Sequence, residues 1–534
     1  MTSIALDVVG NLIEVHKTEY NRKYSRLARL HKYWARKPWF VVRDYISKYS
    51  KEQDVVLDPF CGSGLMGLEA VLQNRDFIGY DLNPIAAFLA ENTLTIDFDA
   101  GDFDREFRAL ETELKERIMS LYALGDSYLL YGILGKKNGK SYNAVISDYH
   151  FRNRKKVTLE KNVLSPDINL PEGLSYPDKP FPTKFYKDRF SYKGVRNVSD
   201  MFSRRNLIAL ALIFNEIKKS SLRYEKLFIL AFTNTLLHTS KLKAENVRPL
   251  SVNNFWIPDD FIEENVWWRF SDRVNNVRIA KATLLQRIKE NKIEKLGTYK
   301  IYNKSSLKMD EINSASVDYG FTDPPYGDVI QYSELSYIWN CWLGKDFDIK
   351  EEVIINPVQN KGIDEYTGQM QLFVNEFSRV LKNEGLFTLC FHNKDSKIWI
   401  RLSELIRDSG FQLVNIASYD TFGNPYNKTW SDFSPKSDLY ITFQKRKPLE
   451  TLVRHKTVNS EEIAKDICGY LISHNGKDFN LTKAYDLFVA SMITNIMNGN
   501  KIVDCDKLNI KSIVGIFERL IKNGNIQKRL PPSF

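Results

Sequence analysis

Asp54-Val-Val-Leu-Asp58-Pro59-Phe60-Cys61-Gly62-Ser63-Gly64-Leu65-Met66-Gly67 is the stretch whose reading decides the fold. Its apolar start reads as a short buried strand. The glycines after it read as a tight turn into a helix over residues 63–73. A second strand over 76–81 and a helix over 84–92, with Pro84 in its first turn, follow directly. Gly62, Gly64 and Gly67 satisfy the spacing GxGxxG, and Asp81 ends the second strand. Such glycines let the backbone approach a ligand and the helix start presents N–H groups. An acid after the second strand suits ribose hydroxyls. That geometry serves NAD and S-adenosylmethionine equally well, so these residues alone leave the cofactor open.

Outward from this unit, strand–helix alternation stops over residues 97–296 and resumes with strands at 298–302 and 317–322. A helix over 372–381, a strand over 385–391, a helix over 397–408 and strands near 412–419 and 439–444 complete the pattern. Alternation of this kind implies an α/β protein with a mostly parallel sheet covered on both faces. The sheet is split by a large insertion. After Lys447 two apolar stripes at helical spacing, Ile463, Ile467, Tyr470, Leu471 and Val514, Phe517, Leu520, Ile521, predict a small helical module. The expected organisation is an extension at 1–30, a first catalytic part at 31–96, an insertion at 97–296, a second catalytic part at 297–447 and a helical module at 448–534.

The 534 residues include 76 Lys and Arg against 66 Asp and Glu, a net charge of +10. Residues 136–205 hold 16 basic and 7 acidic side chains, and the remaining 60 and 59 nearly cancel. Within that stretch Tyr142, Tyr149, Phe151, Phe185, Tyr186, Phe190, Tyr192 and Phe202 are interleaved with the cations. The mixture suits phosphate contact with base stacking; the plainer reading is solvated loops with ordinary core aromatics. Arg152, Arg154, Lys155, Lys184 and Arg189 mark its most basic parts and are candidate nucleic-acid contacts.

Other classes drop out. The longest apolar run, residues 207–214, is far short of the roughly 18 needed to span a bilayer. No secretory pattern opens the chain, so a cytoplasmic protein is expected. Cys61, Cys341, Cys390, Cys468 and Cys505 are odd in number and scattered, with no zinc spacing; neither disulfides nor a metal site is expected. Cys61 reads as a small filler of the glycine turn.

The strand over 317–322 runs into Asp323-Pro324-Pro325-Tyr326. An exocyclic amine is a poor nucleophile because its lone pair is delocalised into the ring. A carboxylate accepting one N–H and a backbone carbonyl accepting the other would localise that lone pair in line with a sulfonium methyl. Two prolines stiffen the loop so that the carbonyl of Pro324 can face inward, and Tyr326 offers a ring to stack on an extruded base. Tyr332 and Glu334, close behind, are candidate substrate contacts, as is His392 past the strand end.

At these residues the chain resembles the amino-group DNA methyltransferases that use S-adenosylmethionine. The resemblance implies a Rossmann-like methyltransferase sheet, covering residues 30–96 and 297–447. It also implies that Asp58, Phe60, Gly62 and Gly64 cradle the cofactor, that Asp81 holds its ribose, and that Asp323, Pro324, Pro325 and Tyr326 hold the target amine. His31-Lys-Tyr-Trp-Ala-Arg36-Lys-Pro38 is similar to the family's amino-terminal cofactor motif, which brings in His31, Arg36 and Pro38. Asp rather than Ser at 323 leans toward adenine N6. The function implied is a DNA methyltransferase in restriction–modification or phage defence, with a nuclease or defence partner. Cytosine N4 and RNA methylation are the nearer alternatives. A nicotinamide-dependent oxidoreductase and a non-catalytic nucleic-acid-binding subunit are the more distant ones.

Overall fold

The computed structural model describes residues 26–27, 30–135, 141–160, 163, 168–183, 185–186, 194–247, 249, 255–346, 348–420, 437–446, 456–473, 481–505, 508 and 510–523. α1 (Trp39–Tyr49) leads into β1 (Val55–Asp58), α2 (Leu65–Leu72), β2 (Asp76–Tyr80) and α3 (Pro84–Leu94). The alternation returns with β8 (Tyr299–Tyr302), β9 (Val317–Thr322), α10 (Ile363–Val380), β10 (Leu381–Phe391), α11 (Ser396–Asp408), β11 (Phe411–Asp420) and β12 (Ser437–Lys445). α10 begins nine residues before the expected 372, because the Glu365 carboxylate accepts the N–H of Gly362 at 2.8 Å and caps an earlier turn.

These strands form one sheet in the order β11-β12-β10-β9-β1-β2-β8. Numbered within the sheet by chain order, that is 3-2-1-4-5-7-6 read from the β8 edge. It is the doubly wound order with one further strand, β12, set between the last two. All neighbours pair in parallel except β12, which is antiparallel to both β10 and β11. The fold is therefore α/β and Rossmann-like. The strand order reverses between β1 and β9, and the crevice at their carboxyl ends is where such sheets bind ligands. β8 pairs with β2 as the third strand even though the whole insertion precedes it in the chain.

The insertion has its own antiparallel sheet: β3 (Ala123–Leu124), β4 (Ser127–Gly135), β5 (Ser141–Ser147), β6 (Lys155–Glu160) and β7 (Asp260–Glu264). Around it lie α4 (Ala100–Ser120), α5 (Arg204–Lys219), α6 (Glu225–Leu236) and α7 (Val266–Glu290). Its core is continuous with Ile85 and Leu89 of α3 and with the short helices α8 (Tyr332–Leu335) and α9 (Tyr337–Trp342). The insertion thus grips both sides of the crevice. Tyr142, Phe185 and Phe202 belong to that core, and Tyr149 and Phe151 pack on it. Tyr142, Phe185 and Phe202 are spent on holding the insertion together and are not free to stack on bases.

The carboxyl-terminal helices α12 (Ser460–Ser473), α13 (Leu481–Met497) and α14 (Ile510–Asn523) share one core with α10 and α11. They come with a two-residue parallel pair, β13 (Thr457–Val458) and β14 (Lys501–Ile502). Ile463, Ile467 and Phe517 are buried there as their spacing predicts. The side chains of Tyr470, Leu471, Val514 and Ile521 lie outside the described residues. No helix among the described residues is long and apolar enough to cross a membrane.

One ion pair ties the insertion to α2, the helix that follows the glycine turn. Arg287 of α7 donates to both carboxylate oxygens of Glu69 on α2, each at 2.6 Å, with its guanidinium 4.4 Å from the Trp39 ring. Glu69 is fully buried. Removing one partner of such a pair strands the other charge, at a cost of about 3–5 kcal/mol. Arg287→Met is therefore expected to bring the first unfolding transition to lower urea concentration, and an unmoved transition would contradict the role given to the pair.

Candidate active site

β1 delivers Asp58 to the carboxyl edge of the sheet, where its carboxylate accepts the N–H of Phe60 at 3.1 Å. Burial holds the Asp58 carboxyl well above the usual carboxylate range. The chain then turns through Gly62 and Gly64, whose φ angles are +50° and +75°. A Cβ on Gly64 would lie 2.6 Å from Ala90 Cα, so only glycine lets the turn settle on α3. Asp81, one residue past β2, braces this turn by accepting the N–H groups of Gly62 and Asn83, each at 2.9 Å. Burial pushes its pKa up to about 7 against the pull of those two bonds. Two of its acceptor positions are spoken for, and an ionised carboxylate has about four.

The loop at 31–38 forms the opposite wall. Tyr33, Trp34, Ala35, Arg36 and Lys37 line the pocket. His31 and Pro38, expected at the cofactor, do not. His31 is buried with its Nδ1 2.7 Å from the carbonyl of Lys32 and its ring edge-on to Trp339 at 4.9 Å. Burial lowers its pKa to about 3, so it is a neutral packing residue. Pro38 starts α1. The Arg36 guanidinium donates to the carbonyl of His31 at 2.6 Å, closing the loop on itself. Cys61 fills the turn between the walls, its thiol pushed well up by burial.

Asp323 follows β9 directly, across the strand reversal from Asp58. Both carboxylates line the same open pocket of about 990 Å³. The lining is rich in acids: Asp58, Asp81, Asp323, Glu351 and Glu352 line it with only Arg36 and Lys37 as bases. The hydroxyl of Tyr326 donates to Asp323 Oδ1. Lys37 Nζ lies 3.3 Å from Asp323 Oδ2, 2.6 Å from the Tyr326 hydroxyl and 3.1 Å from Asp438 Oδ2 on β12. Burial pushes the Asp323 carboxyl up to about 6, while Lys37 and the Tyr326 hydroxyl pull it back.

The Asp-Pro-Pro-Tyr loop is held from behind. Tyr366 donates to the carbonyl of Pro325 at 2.8 Å, and Asn393 donates to that of Tyr326 at 3.0 Å. The Asn393 carbonyl in turn accepts from Trp399 Nε1 at 3.0 Å and from the Tyr485 hydroxyl at 2.6 Å. The carboxyl-terminal helices therefore reach the Asp-Pro-Pro-Tyr loop through one backbone carbonyl. Pro324 is buried, and the Tyr326 ring meets Phe391 edge-on at 5.1 Å.

The lesser candidates divide. Tyr332 lines the pocket and stacks on Tyr33 at 6.0 Å. Glu334 does not line the pocket; it is buried and accepts from Asn356 Nδ2 at 2.8 Å and from the N–H of Tyr186 at 2.9 Å, pinning the insertion to α8. His392 lies beside Tyr326 at 6.0 Å and 3.9 Å from Asp438 Oδ1, and is not part of the pocket lining. Arg152, Arg154 and Lys155 are exposed at the start of β6, with Arg154 5.7 Å over the Trp268 ring. Lys184 and Arg189, with Phe190 and Tyr192, lie outside the described residues. Lys37 and Asp438 were not anticipated. Lys37 sits inside the quoted amino-terminal motif, where its charge was the available signal; Asp438 carries no motif and is brought in only by the antiparallel strand.

Residues 7–92 match a family model described as a DNA methylase, of the N6 and N4 type. The chain is similar to the amino-group DNA methylases. A type II methyltransferase of Haemophilus influenzae, M.HindIII, is 33% identical over 97 residues, which are 18% of this chain and 29% of that protein. The match therefore spans less than a third of the relative's length. Among solved structures, a SAM-dependent methyltransferase from Methanosarcina mazei aligns with 75% of this chain and 97% of its own, at 10% identity and a TM-score of 0.25. A geranyl diphosphate C-methyltransferase from Streptomyces coelicolor, bound to S-adenosyl-L-homocysteine, aligns with 32% of this chain and 61% of its own, at 12% identity and a TM-score of 0.17. The cofactor of the DNA methylases is S-adenosyl-L-methionine, and the pocket fits it on two observations. Asp81 keeps acceptor positions beyond its two backbone partners, and the five lining acids outweigh two bases around what would be a sulfonium.

Proposed function

We propose that this protein transfers a methyl group from S-adenosylmethionine to an exocyclic amine of a flipped DNA base, adenine N6 being favoured. The observation that carries the reading is the meeting of Asp323 with Asp58, Asp81 and the glycine turn in one pocket at the strand reversal. The cofactor supplies an activated methyl on a sulfonium, and everything else falls to the protein. Asp81 accepts the ribose hydroxyls, and Gly62 and Gly64 let the backbone close on the donor. Asp323 accepts one N–H of the target amine and the carbonyl of Pro324 the other, which turns the nitrogen lone pair toward the methyl. Tyr326 offers its ring to the flipped base. Asp323 acts as acceptor and positioner, because the amine becomes acidic only once methylated.

Asp at position 323 supports adenine over cytosine N4. The similarity to a type II methyltransferase supports a restriction–modification or phage-defence setting with a separate nuclease. The exposed cations at Arg152, Arg154 and Lys155 support DNA contact by the insertion. The acid-rich lining weighs against a nicotinamide dinucleotide, whose pyrophosphate is doubly negative. Calorimetry with S-adenosylhomocysteine and NAD separates these two: binding of the first alone is expected, and binding of NAD alone would overturn the reading. Modification-sensitive sequencing of DNA from cells with and without the protein then reports the base and its sequence context.

A further inference from the structure

We propose that Lys37 is a positioning residue for the reaction: its ammonium, set between Asp323 and Asp438, holds Asp323 as an ionised acceptor and links it to the loop that lines the cofactor pocket. The inference rests on the role given to Asp323 above. Lys37 is nearly enclosed, with 9% of its side chain exposed, and it contacts three acceptors from two other segments: Asp323 and Tyr326 after β9, and Asp438 on β12. Its neighbours Tyr33 to Arg36 line the pocket, so the distance from the ammonium to Asp323 depends on where that loop lies.

The groups around Asp323 make this cation matter. From β1 comes Asp58, from its own loop Tyr326, from α8 Tyr332, from the end of β10 Cys390, and from β12 Asp438 and Tyr440. His392, beside Tyr326, stands 3.9 Å from Asp438. Among the described residues, Lys37 is the fixed positive charge in this set. Two partly buried carboxylates that share one cation stay ionised together more readily; without it, the proton affinity of the pair rises. A protonated Asp323 carries a donor on one oxygen and keeps fewer acceptor positions for the target amine beside those taken by Tyr326 and Lys37.

The test is the pH dependence of methyl transfer to DNA at saturating cofactor. It compares the wild type, Lys37→Met, Lys37→Arg and the double variant Lys37→Met/Asp438→Asn. S-adenosylhomocysteine binding and melting serve as folding controls. For the wild type, activity is expected to fall below about pH 6. In Lys37→Met this acid limb moves up, and a limb at about 8 makes the variant about tenfold slower at pH 7. Lys37→Arg stays close to the wild type. In the double variant, removal of the competing carboxylate brings the limb back down, which a purely structural role for Lys37 does not predict. A folded Lys37→Met with an unmoved limb, or a double variant with no return, would overturn the inference. Should Lys37→Met fail to fold, Asp438→Asn alone is expected to lower the limb, and an unmoved or raised limb overturns it equally. Absence of transfer by the wild type removes the proposed function and this inference together, whereas wild-type transfer with unmoved limbs removes this inference alone.

Discussion

Asp323→Ala is expected to slow methyl transfer by about a thousandfold while leaving S-adenosylhomocysteine affinity nearly unchanged. The carboxylate is the side-chain acceptor that meets the target amine in this scheme. Its contribution is made where charge develops, from a carboxylate held in place by Tyr326 and Lys37. Cofactor affinity should largely survive because Asp81 and the glycine turn are separate segments, and Lys37 of the loop at 31–38 keeps Tyr326 and Asp438 as partners. Asp323→Asn is the sharper variant: it keeps the shape, but a neutral amide accepts more weakly and its NH₂ group opposes the donor it should receive. The sign of the pH dependence follows from burial. Asp323 titrates near 6, above its ordinary value, so the ionised form is lost as the pH falls through 6 and transfer is lost with it. Single-turnover rates across that range check both points, and an Asp323→Ala variant with normal turnover would remove the mechanism.

Asp81→Ala is expected to act on the cofactor instead. Two losses add: the carboxylate's bonds to ribose hydroxyls, and its brace on the N–H groups of Gly62 and Asn83. Hydrogen bonds to a charged group are each worth about 1.5–3 kcal/mol, so S-adenosylhomocysteine should bind about a hundredfold more weakly or worse. Asp81 also titrates near 7 because it is buried. Binding to the wild type should therefore weaken as the pH drops below 7, and Asp81→Asn should bind weakly with that dependence removed. Calorimetry at several pH values measures both. Unchanged affinity in Asp81→Ala would move the ribose site elsewhere.

Most of the parallel-sheet half was legible because each of its parts is written locally. A buried strand, a glycine turn and an acid after the next strand occupy residues 54–81 without a break, and the structure closes them into one wall. The loop after β9 is equally local, since two prolines and a strand end define it. What stayed hidden depends on residues far apart in the chain. Asp438 approaches Lys37 only because β12 runs antiparallel beside β10. Glu334, read as a substrate contact from its nearness to Asp323 in sequence, is turned inward by a helix and spent on Asn356 and Tyr186. The aromatics among the cations of residues 136–205 mislead in the same way. Their types suit stacking on bases, but Tyr142, Phe185 and Phe202 are needed to give the insertion a core. Charge and aromaticity describe what side chains are able to do; burial decides which of them are free to do it.

Transfer of labelled methyl from S-adenosylmethionine to DNA, followed by nucleoside separation, tests the central claim most directly. The expected result is label in N6-methyladenine with the wild-type protein and none with Asp323→Ala. Label in no nucleoside of any DNA or RNA offered, by a protein that binds S-adenosylhomocysteine, would contradict it.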